Sequence, residues 1–421
     1  MIAVPFIYFS LLTILLVWKD KALSMSSYIL LIYAFSSLCA ILVDAWGIYN
    51  ALGVRDKIEI SPEATMTYCT LLSLSILPFR HITSSSTTQI LMQNERLIDA
   101  VSWLLIGTFV VTLGTLATDI NQVFHSDLNE IRSQIYHNKV LFEKTGIARI
   151  LTLPSMLFGQ LAPMAILFFF CNIVYKRKSL LFNYLLLASS LTPVLSAILI
   201  AGRTQPIYWV MTFFLLYFLF RPMMSAEAKK QIVVPVLVIA GITILFIGSV
   251  TISRFTSQSS TDLVDVRNSI ISYAGQSFIN FNDFYCNYTP SGVHLDRIFP
   301  LYTRLFVDSD WDLNTYRDFI WSESGMNIGI FYTFLGDLMV DTTKTGMWIY
   351  VLLFSILAGI LCRRPMQDGA MPLSRLLVII MLILIPLRGL FYYSYYRVDV
   401  SLYILGTLLL AMALTFKLHE D

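Results

Sequence analysis

The stretch SAILIAGRTQPIYWV (residues 196–210) sets one arginine, Arg203, inside an apolar run that extends from Leu180 to Phe220. A membrane crossing takes about 20 residues, so this run is too long for one span and suits two. Arg203 then marks a turn between two spans, with almost no loop to lift it clear. It lies at or just below the headgroup level. A cation at that depth is costly unless it snorkels, pairs with a carboxylate or meets an anion.

The rest of the chain reads the same way. Of its 421 residues, 57% are hydrophobic and only 13% charged, against roughly a quarter charged in soluble proteins. Mean hydropathy is +0.70. The fold class expected is an all-α polytopic membrane protein of about 11 transmembrane helices. The spans fall at about 2–18, 27–49, 64–79, 97–117, 150–174, 179–200, 205–220, 232–250, 345–362, 373–391 and 399–416. The apolar start, without a basic leader, reads as a retained span rather than a cleaved signal. Net charge is +2, so no bulk basic field points to nucleic acid.

Short loops set the orientation. Lys19 and Lys21, Arg80 and Arg96, Lys176 to Lys178, Arg221 with Lys229 and Lys230, Arg363 with Arg364 and Arg375, and Lys417 all follow odd-numbered spans. Under the positive-inside rule the N-terminus is outside and the C-terminus cytoplasmic. The chain then divides into residues 1–250, spans one to eight with an outer loop at about 118–149; residues 251–344, a large outer loop; and residues 345–421, spans nine to eleven. A loop as long as the second is seldom without function. Helices are expected in it, with GIFYTFLGDLMVD (329–341) as a re-entrant or interfacial helix. Of five cysteines, four lie in or beside spans and Cys286 is alone in the large loop, so no disulfide or thiolate metal site is expected.

The outer ends of the spans collect arginines: Arg203, Arg254, Arg388 and Arg397. A planar guanidinium suits two-point binding of phosphate, and a lipid-linked pyrophosphate presents its charge at this depth. In GVHLDRIFPLYTRLF (292–306), His294, Arg297 and Arg304 would share a face if the stretch is helical. His294 could accept a proton near neutral pH. Asp308, Asp310 and Asp312 alternate as in a D-x-D metal site, but Leu313 and Phe319 stand where a calcium loop needs Gly and Glu, which favours a solvated acidic turn. The loop tyrosines and tryptophans (Tyr273, Tyr285, Tyr288, Tyr302, Trp311, Tyr316, Trp321) offer flat faces to sugars or pack the loop. No Walker loop, GxGxxG, HExxH or GxSxG is present.

The many spans, the dominant outer loop, the AGRT turn (201–204) and the stretch NIGIFYTFLGDLMVDTTKTGMWIYVLLFSILAGI (327–360) together resemble the bacterial O-antigen polymerases, the Wzy-type repeat-unit polymerases related to O-antigen ligases. The chain lacks one pattern of some members, an outward arginine with glycine eleven residues on. The resemblance implies a C-type membrane glycosyltransferase architecture in the bacterial inner membrane, with the active site facing the periplasm. It implies oligosaccharide units on undecaprenyl pyrophosphate as substrates, and transfer of the growing chain to the next unit with release of undecaprenyl pyrophosphate. Membrane lipids, a chain-length regulator and a flippase are the implied partners, with no cofactor, no metal and no nucleic acid. In that chemistry Arg203 and Arg254, with Arg388 or Arg397, would hold the pyrophosphate. Arg297 and Arg304 would contribute from the loop, and His294 or Asp337 would be the base on the acceptor hydroxyl. The rival readings are an O-antigen ligase, a transporter of lipid-linked saccharide, and a structural scaffold. A transporter would carry charged residues at mid-membrane and broken helices; Asp44 and Asp99, the acidic residues in or beside spans, lie near span ends.

Overall fold

A computed structural model describes residues 1–49, 58–83, 87, 89–125, 147–199, 202–256, 263–289, 292–307, 313–324, 326–363 and 369–416. The chain is helical almost throughout. Among the described residues one strand pair, Gln89–Leu91 with Ala370–Pro372, is parallel. The apolar stretches expected to span are helical where described, and seven of the helices meet the length and hydropathy of a crossing. Seven helices among the described residues are long and apolar enough to cross a membrane: Met25–Trp46, Glu95–Leu116, Leu153–Tyr175, Leu180–Ala197, Thr204–Met223, Thr333–Arg363 and Val398–Thr415. Val4–Asp20, Pro62–Ile76 and Leu373–Arg388 are apolar but short, at 17, 15 and 16 residues. Side chains of Ala226–Thr256 are described only in part.

The chain forms two compact units. One comprises residues 87–261, 367–378 and 402–421. Its helices are interrupted where the sequence places proline: Pro154 sits inside Ile147–Phe158, a 3-10 turn follows at Gly159–Leu161, and Ala162–Tyr175 resumes with Pro163 in its first turn. The stretch expected as the sixth span is likewise split into Leu180–Ser189 and Thr192–Leu199, with Pro193 opening the second piece.

The other unit holds residues 1–86, 262–366 and 379–401. Its central helix, Met25–Trp46, opens with a capping box in which the Ser24 and Ser27 side chains each accept the other's backbone N–H, and ends at Gly47 with φ 63°. Against it lies Leu263–Asn287, inside the segment expected as outer loop. This helix is a packed element rather than a solvated one. Its polar residues hid that from a hydropathy reading because they are satisfied internally. Asn280 Nδ2 donates to Phe331 O at 2.8 Å, Asn282 Nδ2 donates to Glu59 O at 2.8 Å, and Asn282 Oδ1 accepts from Ser61 N at 2.8 Å. Gly275 lets the two backbones touch: a Cβ there would stand 2.6 Å from Ala40 N.

The expected ninth span also begins earlier than its hydropathy suggests. The helix Thr333–Arg363 is broken at Thr343, which takes φ 88°. Residues 333–341, the part expected as a re-entrant or interfacial helix, form a separate half-helix in which every residue is buried. Non-helical backbone is tolerated at membrane depth only where protein or a water-lined cavity surrounds it.

Gly275→Val should lower the thermal midpoint of the detergent-purified chain by several degrees, from overpacking worth about 1–3 kcal/mol. Gly107→Ala, where an added Cβ meets nothing within 4 Å, should leave it unchanged or slightly raised. Equal midpoints for Gly275→Val and the parent would remove the close approach.

Candidate functional site

The buried half-helix carries two acidic residues one turn apart, Asp337 and Asp341, so both project from one face. Each grips the 294–298 segment in a different way. Asp337 takes a side chain: Arg297 Nη2 stands 2.6 Å from its Oδ1, with the two side chains 2% and 0% exposed. Asp341 takes backbone: its Oδ2 accepts from Arg297 N at 2.8 Å and Ile298 N at 2.9 Å, and its Oδ1 accepts from Tyr316 OH at 2.7 Å. The Asp341 carbonyl adds a bond from His294 N at 3.0 Å.

Asp337 also ties in the turn after Leu373–Arg388. Its Oδ1 accepts from Tyr332 OH at 2.8 Å, and its Oδ2 accepts from Tyr393 N. Phe334 N donates to Gly389 O at 2.8 Å, which fixes the start of the half-helix to the residue after Arg388. One carboxylate therefore joins three chain segments far apart in sequence.

The Arg297 guanidinium is only half used. Its Nε and Nη1 are buried and have no hydrogen-bond partner. Three tyrosine rings surround it, Tyr332, Tyr392 and Tyr396, with centroids at 5.9, 6.0 and 5.5 Å. Tyr332 is in turn stacked flat on Phe284, 4.4 Å between centroids. Burial works against the charge on Arg297, but the Asp337 carboxylate, with Tyr332, Tyr316 and Asp341, holds its pKa above the usual arginine value. Burial, reinforced by Asp341, pushes the Tyr316 phenol well above its usual range, so it stays a donor to that carboxylate. Arg317, half-buried on Leu313–Ser324, lies within electrostatic reach of Asp337 and Tyr392.

Other residues singled out from the sequence are placed differently. His294, Arg297 and Arg304 do not share a helical face. The segment turns at Leu295, φ 62°, and helix starts only at Pro300. Arg297 is consequently buried and Arg304 exposed. His294 is half-buried, with its ring edge-on to Phe319 at 5.5 Å. Arg388 ends its helix half-buried at the turn that Asp337 holds. Arg397 is exposed, and its Nε and Nη2 bond both oxygens of Asp399 at 2.9 and 2.8 Å, which gives it a local role at the start of Val398–Thr415. Arg203 belongs to the other unit, half-buried at the head of Thr204–Phe220. Arg254 lies in Ala226–Thr256, its side chain outside the described residues, as are Asp308, Asp310, Asp312 and Trp311. Among the described residues no three His, Cys, Asp or Glu side chains gather as a metal site.

Hydropathy reading missed Asp341, Tyr332, Tyr392, Tyr396 and Arg317. A signal existed for the first: Asp337 and Asp341 at i and i+4 in an otherwise apolar stretch predict two carboxylates on one helix face.

No family model, curated protein or solved structure matches this chain.

Replacing one partner of a buried ion pair strands the other, at about 3–5 kcal/mol. Arg297→Met and Asp337→Asn should each lower the thermal midpoint of the purified protein strongly, while the double variant should fall well short of the summed losses. Additive losses would mean that the two groups do not depend on each other.

Proposed function

We propose that the protein polymerises lipid-linked oligosaccharide units at the outer face of a bacterial inner membrane, with undecaprenyl pyrophosphate as the leaving group. The observation that supports this reading is the buried Arg297 guanidinium, fixed by Asp337 through Nη2, with Nε and Nη1 unpartnered beneath Tyr332, Tyr392 and Tyr396. A diphosphate ester needs such donors, and tyrosine faces suit sugar rings. In this reading the chain crosses eleven times, with the N-terminus periplasmic and the C-terminus cytoplasmic.

The step is a glycosyl transfer. The acceptor hydroxyl oxygen bonds to the anomeric carbon of the donor, the carbon–oxygen bond to pyrophosphate breaks, and the electron pair leaves on the phosphate. Donors that meet this growing charge stabilise the transition state more than the ground state. Arg297 and Arg388, both in the unit of residues 1–86, 262–366 and 379–401, take that role. The hydroxyl proton goes to His294. Asp337 is poorly suited as base because its oxygens already accept from Arg297, Tyr332 and Tyr393.

A transporter of lipid-linked saccharide is the second reading. The break at Thr343 and the buried Asp337 and Asp341 favour it, since they lie inside a helix long and apolar enough to span. Surface polysaccharide from cells carrying His294→Gln or Arg297→Lys at normal protein level distinguishes the cases. A polymerase variant leaves a single repeat unit on each core and no ladder. A ligase variant leaves none. A transporter variant leaves none and accumulates lipid-linked units inside. An unchanged ladder in both variants would remove both residues from the reaction.

A further inference from the structure

A second cationic feature lies in the same unit as Arg297 but away from it. A cavity of about 690 Å³ opens between the end of Pro62–Ile76, the 3-10 turn Leu77–His81 and the last turns of Thr333–Arg363. The tilted ring pair Phe79 and Phe354, 6.3 Å between centroids, packs the turn against the helix. One end of the cavity is lined by Arg80, His81 and Arg363, while Leu77, Ile356 and Ile360 line the walls. Gly359 also lines it, and a Cβ there would meet nothing within 4 Å.

Among the described residues no carboxylate forms an ion pair with Arg80 or Arg363. Arg363 Nε donates to His81 Nε2 at 3.3 Å, so that nitrogen accepts and carries no proton. Burial, Arg80 and Arg363 all lower the His81 pKa, while Asp20 opposes them. His81 thereby accepts from Arg363 and adds no opposing charge to either arginine. Asp20 acts on His81 but makes no ion pair with either arginine among the described residues. Two cations beside an apolar-lined cavity suit a ligand with an anionic head and hydrocarbon tails. A free phosphate would leave the apolar part of the cavity empty, and a neutral lipid would leave the arginines unmet.

We propose that this cavity binds one anionic phospholipid, with its phosphate at Arg80 and Arg363 and an acyl chain along Leu77, Ile356 and Ile360. Basic pockets between membrane helices hold acidic headgroups in this manner. The orientation proposed above only names the leaflet, the cytoplasmic one; the site itself does not depend on the polymerase reading.

The test uses the purified full chain in neutral detergent. Phosphatidylglycerol, phosphatidylcholine of the same acyl chains, and inorganic phosphate are compared by thermal shift and by lipid retention in native mass spectrometry. The parent should retain phosphatidylglycerol over phosphatidylcholine, and inorganic phosphate should have no effect. Arg80→Gln with Arg363→Gln should lose roughly thirtyfold of that preference, as expected for two charges at a membrane surface. Gly359→Leu, which fills the cavity and leaves both arginines in place, should lose retention of both lipids. A preference that survives the paired arginine change overturns the proposal, as does retention by Gly359→Leu or a phosphate shift equal to that of the lipid.

Discussion

Taking a guanidinium wholly out of water costs several kcal/mol unless a carboxylate meets it with good geometry and further hydrogen bonds satisfy both. Arg297 is held to that requirement by Asp337, and its backbone is held by Asp341 one turn further along. The geometry of the region follows from it. The 294–298 segment cannot slide without breaking either the pair or the backbone clamp. The half-helix that supplies both carboxylates must be short and enclosed, and the break at Thr343 separates it from the longer helix beyond. The turn at 389–393 is drawn in by the same carboxylate and by Phe334 N. Removing Asp337 would release three segments at once.

Stability and chemistry make different demands on this arrangement. For stability alone, well-packed apolar residues often serve as well as a buried ion pair. Arg297 also keeps two donors without partners, each of which carries a desolvation cost. An enclosure of tyrosine rings lowers that cost through cation–π attraction but does not replace a hydrogen bond. The anion site proposed above would give the unused edge its partner. Polymerase and transporter readings share that expectation and differ in whether the anion leaves as a product.

Much of the helical frame was legible because apolar runs near 20 residues long have few alternatives. What escaped was set by contacts that no local pattern reports. A helix was expected in the 251–344 loop, but the packing of Leu263–Asn287 was not, because its asparagines bond distant backbone at Glu59 and Phe331. The break at Thr343 carries no proline to announce it. Arg297 and Arg304 were expected on one face because helical spacing was assumed through Leu295, whose positive φ ends that register. Arg397 is grouped by sequence with the other outer arginines, and the structure adds its pairing with Asp399, two residues on. The sequence offers Asp337 as a base, while its oxygens in the structure accept from an arginine, a phenol and a backbone amide.

The central claim is that the free edge of the Arg297 guanidinium receives the diphosphate. Equilibrium binding of undecaprenyl pyrophosphate to the purified full chain tests it most directly, with Arg297→Lys, a variant that keeps the charge but loses the planar fork, beside Arg304→Gln. The account predicts saturable binding by the parent and by Arg304→Gln, and at least about tenfold weaker binding by Arg297→Lys at an unchanged thermal midpoint. Binding by Arg297→Lys equal to that of the parent would contradict it.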